Sequence, residues 1–299
     1  EIKEPSLDEL KPADKWILSK VNTLAKDVTE NMDKYEMGIA VQKVYDFIWD
    51  EFCDWYIEIT KTRTYNKEND PASANAAFWT LKTVLTEALK LLHPFMPFIT
   101  EEIWSYLPHG EEQEDNPENY LIKAKWPVAS ASCIFPSASD TLETAMEIIR
   151  AIRNIRAEAE AAPSKKLRAV ILPANKSAQT VKNGEAYIKN LANITEVIFI
   201  ENKSEAPEEA MSAVTGGAEI YIPLEDLVDY EAEYARLSKE EKRLKAEVAR
   251  ACGKLSNQGF VSKAPEKVIR EEKEKLEKYE DMLGKVSARL AKVAEKTGR

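Results

Sequence analysis

The sequence predicts a mainly α-helical chain in three parts: an antiparallel helical bundle, a small α/β domain and a C-terminal antiparallel coiled-coil hairpin. Three observations predict it. Apolar residues recur at three- and four-residue steps through the N-terminal third, the spacing of one face of an amphipathic helix. In the middle of the chain, short runs rich in β-branched residues alternate with helical patterns. At the C-terminal end an apolar repeat of seven residues marks a coiled-coil seam.

Taken in order, Ile17, Val21, Leu24 and Val28 predict a helix from about Lys15, with Asp14 as its N-cap after Pro12. A longer helix is predicted from about Gly38 to Thr60, with Val41, Val44, Ile48, Phe52, Trp55 and Ile59 as one stripe and Tyr45, Trp49 and Tyr56 beside it. A third starts near Pro71, carries Phe78, Leu81, Leu85, Ala88 and Leu92, and breaks at His93-Pro94. A short fourth follows Pro97 through Ile103 and Trp104. We expect residues 1–135 to form this bundle, with a polar and acidic surface excursion over 108–135.

Residues 136–228 read as the small domain. A helix at about Thr141–Ala161 precedes a strand at Leu167–Leu172, a polar helix at Ala178–Leu191, a strand at Glu196–Ile200 and a third strand at Ala218–Ile222. Residues 229–299 read as the arm. Tyr230, Leu237, Leu244 and Ala251 repeat at seven, as do Tyr234, Glu241, Val248 and Leu255; after a break Ile269, Leu276, Leu283 and Leu290 do the same, followed by Tyr279, Val286 and Val293. Ser256-Asn257, Gly259 and Pro265 supply the turn between the two helices.

The net charge of −10 argues against wholesale nucleic-acid binding, but it conceals an asymmetry. Residues 229–299 hold 18 Lys and Arg against 14 Asp and Glu, whereas the preceding 228 residues hold 24 against 38. Between residues 236 and 254 the bases Arg236, Lys239, Lys242, Arg243, Lys245, Arg250 and Lys254 face only Glu240, Glu241 and Glu247. That stretch suits phosphate. No apolar run approaches a membrane span. Cys53, Cys133 and Cys252 form no CxxC pair, so neither a disulfide framework nor a zinc site is signalled. A monomeric cytoplasmic protein is expected, and the opening Glu1-Ile2-Lys3 suggests an excised fragment.

No catalytic site is legible. His93 and His109 lack partners at metal-ligand spacing, and Gly216-Gly217 is followed by neither the Lys-Ser/Thr nor the helix of a phosphate-binding loop. Glu51, Asp54 and Glu58 read as a solvated helix face rather than as paired catalytic carboxylates. Arg150, Arg153 and Arg156 form a basic stripe that suits either phosphate or neighbouring acids. Trp16, Trp49, Trp55, Trp79 and Trp104 are assigned to core packing rather than base stacking.

Several segments resemble valyl-tRNA synthetases. They are Ala13-Asp14-Lys15-Trp16-Ile17-Leu18-Ser19, Trp49-Asp50-Glu51-Phe52-Cys53-Asp54-Trp55-Tyr56, and the run Leu91 to Trp104 containing His93-Pro94-Phe95-Met96-Pro97-Phe98. The first and third are shared with leucyl and isoleucyl enzymes, whereas Glu51 to Tyr56 is similar to valyl enzymes in particular. Ile152 to Glu158 with Pro163-Ser164-Lys165-Lys166, and Lys254 to Val261 with Lys263-Ala264-Pro265, resemble the linker domain and coiled-coil tip of valyl enzymes; Glu160-Ala161-Ala162 departs from the more apolar approach of many relatives. The cysteine-rich zinc module that typically ends isoleucyl enzymes has no counterpart here.

The resemblance implies a bundle of the class I synthetase anticodon-binding type that meets the anticodon loop, begun after the family's first helix, and an arm against the tRNA elbow. It implies tRNA, tRNA(Val) in particular, as partner, with no DNA or membrane. ATP and Mg would belong to the catalytic domain of the parent ligase, with no cofactor in this chain. On charge and position, the expected contacts are Arg243, Lys245, Arg250, Lys254, Lys263 and Arg270 on the arm and Arg63, Asn66 and Lys67 at the bundle's loop. A coiled-coil protein-interaction module and a leucyl or isoleucyl origin are the alternatives.

Overall fold

The computed structural model describes residues 2–107, 120–162, 164–227, 230–257 and 265–297. The chain divides into two compact units, residues 1–154, 168–206 and 212–221 in the first and 155–167, 207–211 and 222–299 in the second. Among the described residues no helix is long and apolar enough to cross a membrane.

The first unit opens with helix α1 (Pro12–Asp33). Lys11 is extended and Pro12 takes the first helical position, where its missing N–H costs nothing. Asp14 therefore stands inside the first turn rather than at the cap, and its Oδ2 accepts the Lys11 N–H at 2.9 Å. Helix α2 (Met37–Asp46) runs through a π-helical segment (Phe47–Ile57) into α3 (Glu58–Tyr65). The wider π turn, with its i→i+5 spacing, re-phases the apolar stripe. Phe47, Phe52, Trp55 and Tyr56 are buried where an α-helical period expected Ile48, Phe52 and Trp55, and Trp49 is left 57% exposed. Of the other tryptophans, Trp16 and Trp55 are core. Helix α4 (Pro71–Leu92) begins at Asp70, whose side chain accepts the Ser73 N–H at 3.1 Å. Helix α5 (Pro97–Ser105) follows, and His93 Nδ1 lies 2.8 Å from Thr100 Oγ1 at its start.

A buried polar cluster ties these helices together. Asp14 is fully buried, and its Oδ1 accepts from Tyr56 Oη at 2.7 Å and from Arg63 Nη1 at 2.7 Å. Arg63 also donates through Nε to Ser73 Oγ at 2.9 Å and through Nη2 to the Ser73 carbonyl at 2.8 Å. One carboxylate thus joins α1, the π segment, α3 and, through Arg63, α4. Burial and the neighbouring Asp14 push the Tyr56 hydroxyl's pKa well above its ordinary value, so the phenol stays a donor.

The segment 120–135 lies against α1. Asn22 and Ser130 exchange two hydrogen bonds, Nδ2 to O at 3.0 Å and N to Oδ1 at 2.7 Å, Trp126 Nε1 donates to Thr29 Oγ1 at 2.8 Å, and Phe135 N donates to Ser19 Oγ at 2.8 Å. Helix α6 (Pro136–Glu158) follows; Lys20 bridges Glu51 at 3.2 Å and Glu143 at 3.0 Å, holding α1, the π segment and α6 together.

The sheet has four strands in the order β2-β1-β4-β3: β1 (Leu167–Pro173), β2 (Ile194–Phe199), β3 (Ala210–Val214) and β4 (Ala218–Pro223). β1 and β4 are antiparallel, with Val170 opposite Tyr221 and Ile171 opposite Ile220. The edge strand β3 is additional to the three expected. It is five residues of partly exposed Ala, Met, Ser and Val, too short and too weakly apolar to declare itself. Helices α7 (Ala178–Asn183) and α8 (Glu185–Leu191) connect β1 to β2, and α8 packs on β2.

In the second unit, α9 (Leu224–Leu227) precedes the two long helices of the arm, α10 (Tyr230–Ser256) and α11 (Glu266–Thr297), which pack on each other.

Replacing Asp14 by Ala should destabilise the bundle by about 3 kcal/mol, because it strands the mostly buried Arg63 guanidinium, whereas Tyr56→Phe should cost only about 1 kcal/mol. Urea denaturation of the two variants checks this; equal, small shifts would show that the carboxylate does not organise the bundle.

Candidate nucleic-acid interface

The arm is built on one apolar seam. In heptad terms, α10 places Tyr234, Glu241, Val248 and Leu255 at a and Leu237, Leu244 and Ala251 at d. Helix α11 places Ile269, Leu276, Leu283 and Leu290 at a and Glu272, Tyr279, Val286 and Val293 at d. Leu237, Leu244, Ala251 and Val293 are buried. Each buried leucine contributes roughly 1.5–3 kcal/mol.

Two of these seam positions are acidic, and each meets a partner from the other helix. Glu272 is buried at a d position and receives Lys254 Nζ from α10 at 3.1 Å, with Lys275 Nζ at 3.6 Å. Glu241 at an a position accepts from Ser287 Oγ at 2.9 Å. These contacts fix the antiparallel register and identify the two sides of the hairpin. Lys254 stands at g and reaches a d residue; Ser287 stands at e and reaches an a residue. The g and c positions of both helices therefore share one side, and the e and b positions share the other.

The expected contacts divide between those sides. Arg243 and Arg250 at c and Lys254 at g share the first; Lys245 at e and Arg270 at b lie on the second. Lys263 lies outside the described residues. Arg243 pairs with Glu240 at 2.6 Å, Lys245 with Glu241 at 2.9 Å, Arg250 with Glu247 at 3.2 Å and Arg270 with Glu274 at 3.9 Å. These four cations are more than half exposed, so such pairs hold them loosely and leave them able to turn to an incoming anion. Lys254 differs, because its partner Glu272 is nearly buried and the pair is part of the seam.

At the bundle's loop the three expected residues also separate. Asn66 and Lys67 are exposed, Asn66 closing α3 and accepting from Asn69 Nδ2 at 2.6 Å. Arg63 points inward to Asp14 and Ser73, with 14% of its side chain exposed. It also lines an open pocket of about 330 Å³ with Lys11, Lys61, Tyr187 and Asn190. The basic stripe of α6 is largely structural. Arg150 and Arg153 lie 5.1 and 5.4 Å from the Trp55 ring centroid, Arg153 Nη2 donates to the Leu191 carbonyl at 3.0 Å, and Arg156 Nη1 donates to the Lys165 carbonyl at 2.7 Å. Among the described residues no three His, Cys, Asp or Glu side chains are placed to hold a metal.

Counting charge along the chain singled out α10 and passed over the lysines of α11. Their signal is the heptad position rather than local density, and Lys278, Lys285 and Lys292 all stand at c.

The Lys254 ammonium holds the Glu272 carboxyl below its usual value of 4.5, and Arg243 and Lys245 do the same for Glu240 and Glu241. Their folded values are depressed, so the stabilisation is present above 4.5 and lost as pH falls through the folded values. The thermal midpoint of the arm should therefore drop on acidification from about pH 5 to about pH 3, and less steeply in Glu272→Gln. Circular dichroism melts at several pH values check this; an unchanged slope in the variant would contradict it.

Residues 14–171 match the family described as anticodon-binding domain of tRNA ligase, and residues 229–294 match the valyl tRNA synthetase tRNA binding arm. Among curated relatives, a valine–tRNA ligase of Clostridium acetobutylicum is 45% identical over 289 residues, 97% of this chain and 32% of the relative. One from Clostridium tetani is 48% identical over 278 residues, 93% of this chain and 30% of the relative. One from Bacillus cereus is 42% identical over 281 residues, 93% of this chain and 31% of the relative. The chain thus spans about a third of the length of the curated relatives it matches.

Proposed function

We propose a tRNA-gripping function for this chain, which belongs to the family of anticodon-binding domains of tRNA ligases. In this reading the bundle meets the anticodon loop and the hairpin lies against the elbow of the same tRNA. The observation that carries it is the coincidence of the arm match over residues 229–294 with an exposed, cation-flanked hairpin. Phosphate contacts through flexible Lys and Arg supply affinity without reading sequence, so base recognition would fall to the bundle.

Of the expected arm contacts, this proposal keeps Arg243, Arg250 and Lys254, together with Lys263; Lys245 and Arg270 stand on the hairpin's other side. At the bundle, Asn66 and Lys67 are placed for contact, whereas Arg63 is engaged by Asp14 and Ser73 and is better read as holding the loop's base. The likeness to valine–tRNA ligases supports tRNA(Val) as the partner and valine attachment, with ATP and Mg, as the reaction of the longer cytoplasmic enzyme. No step of that reaction is assigned to residues of this chain.

Binding to valine tRNA should weaken steeply with salt, with a log–log slope of about −3 to −5 for four to six phosphate contacts, and should exceed binding to an unrelated tRNA. Fluorescence anisotropy across a salt series checks this. Association with a protein partner, together with salt-independent or absent tRNA binding, would favour a protein-interaction module instead.

A further inference from the structure

We propose that the hairpin receives the tRNA backbone on one of its two sides only, the one bearing Lys254 and Glu272, where an arginine row on α10 runs beside a lysine row on α11. The inference rests on the tRNA-binding reading above and specifies its surface.

From Tyr234 onward the c positions of α10 are Arg236, Arg243 and Arg250; on α11 they are Glu271 and then Lys278, Lys285 and Lys292. A seven-residue interval at 1.5 Å rise spaces the cations of each row by about 10.5 Å. The g positions on the same side add Lys254, Lys275 and Arg289, with Glu240 and Glu247. Among the described side chains these c and g positions therefore carry nine cations against three carboxylates, a net charge of +6, which Glu272 at d reduces to +5. The e and b positions opposite carry Lys242, Lys245, Arg270 and Lys273 against Glu266, Glu277 and Glu280, a net charge of +1, among Ala, Ser, Gly and Cys.

In the pairs Arg243–Glu240, Arg250–Glu247 and Lys285–Asp281 the cations are exposed, with Glu240 and Glu247 part-buried. Such pairs are weakly held in water, so a phosphate competes for the cations at little cost. Apolar residues on this side are confined to Val268 and the part-buried Met282, too few and too far apart to form an edge that inserts into a bilayer. A ridge of spaced cations without apolar anchors suits a nucleic-acid backbone.

Two triple variants of the 299-residue chain remove three charges each. Arg243→Gln, Arg250→Gln and Lys278→Gln strip the proposed side; Lys242→Gln, Lys245→Gln and Lys273→Gln strip the other. All six positions are exposed, and circular dichroism confirms equal helicity before binding is compared. At about 100 mM salt the first triple should bind tRNA roughly 10- to 100-fold more weakly, with the salt slope reduced by about 2 to 3, and the second less than about 3-fold more weakly. Equal losses in the two triples, a larger loss in the second, or no loss in either would overturn the choice of side while leaving tRNA binding standing. Failure of the unaltered chain to bind any tRNA at low salt would overturn the tRNA reading and this inference with it, as would capture of phosphatidylserine vesicles without tRNA binding.

Discussion

A carboxylate buried away from water must be met by donors, and that requirement organises both units of this chain. In the first unit Asp14 draws Tyr56 and Arg63 inward, and Arg63 in turn fastens Ser73. In the second, Glu272 occupies a seam position where leucine or valine would serve, and draws Lys254 across from the other helix. The two carboxylates have different consequences. Asp14 holds helices together, whereas Glu272 selects one register among those a two-helix seam permits, as polar seam residues do elsewhere.

Register is where structure passes into function. An apolar heptad repeat alone does not distinguish registers seven residues apart, and each such slide would displace the cations of one helix against those of the other by about 10.5 Å. With Lys254 on Glu272 and Ser287 on Glu241, the arginines of α10 and the lysines of α11 become one charged side. Residues 1–228 hold 24 Lys and Arg against 38 Asp and Glu, so the chain's cationic excess lies in the arm.

Much of this was legible in the sequence, for identifiable reasons. Helix α1 and both helices of the arm follow from apolar spacing, whereas α4 buries Ala74, Ala77, Val84, Ala88 and Leu91 in place of the expected row of Phe78, Leu81, Leu85 and Leu92, and α5 buries Thr100 while Ile103 stays exposed. The π segment was not legible, since apolar spacing at Val44, Phe47 and Phe52 also fits one wide face of an α-helix and carries no mark of the wider turn. Strand β3 escaped for want of length and β-branched residues. Asp14 looked like a cap because its place after Pro12 satisfies the local rule; only the tertiary approach of Tyr56 and Arg63 reveals its second duty. Arg63 read as a loop cation for the same reason. On the arm, charge counted along the chain found α10, whereas the shared side of α10 and α11 emerges only when heptad position is combined with the direction in which Lys254 and Ser287 cross the seam.

The central claim is that tRNA lies against one side of the hairpin, and site-directed photo-crosslinking tests it most directly. A benzophenone side chain at position 278 reports from the lysine row, and one at position 249 from the opposite side, at a b position among small residues. On irradiation in the presence of tRNA, crosslinked product should form from position 278 and be nearly absent from position 249. Equal yields, or a higher yield from position 249, would contradict it.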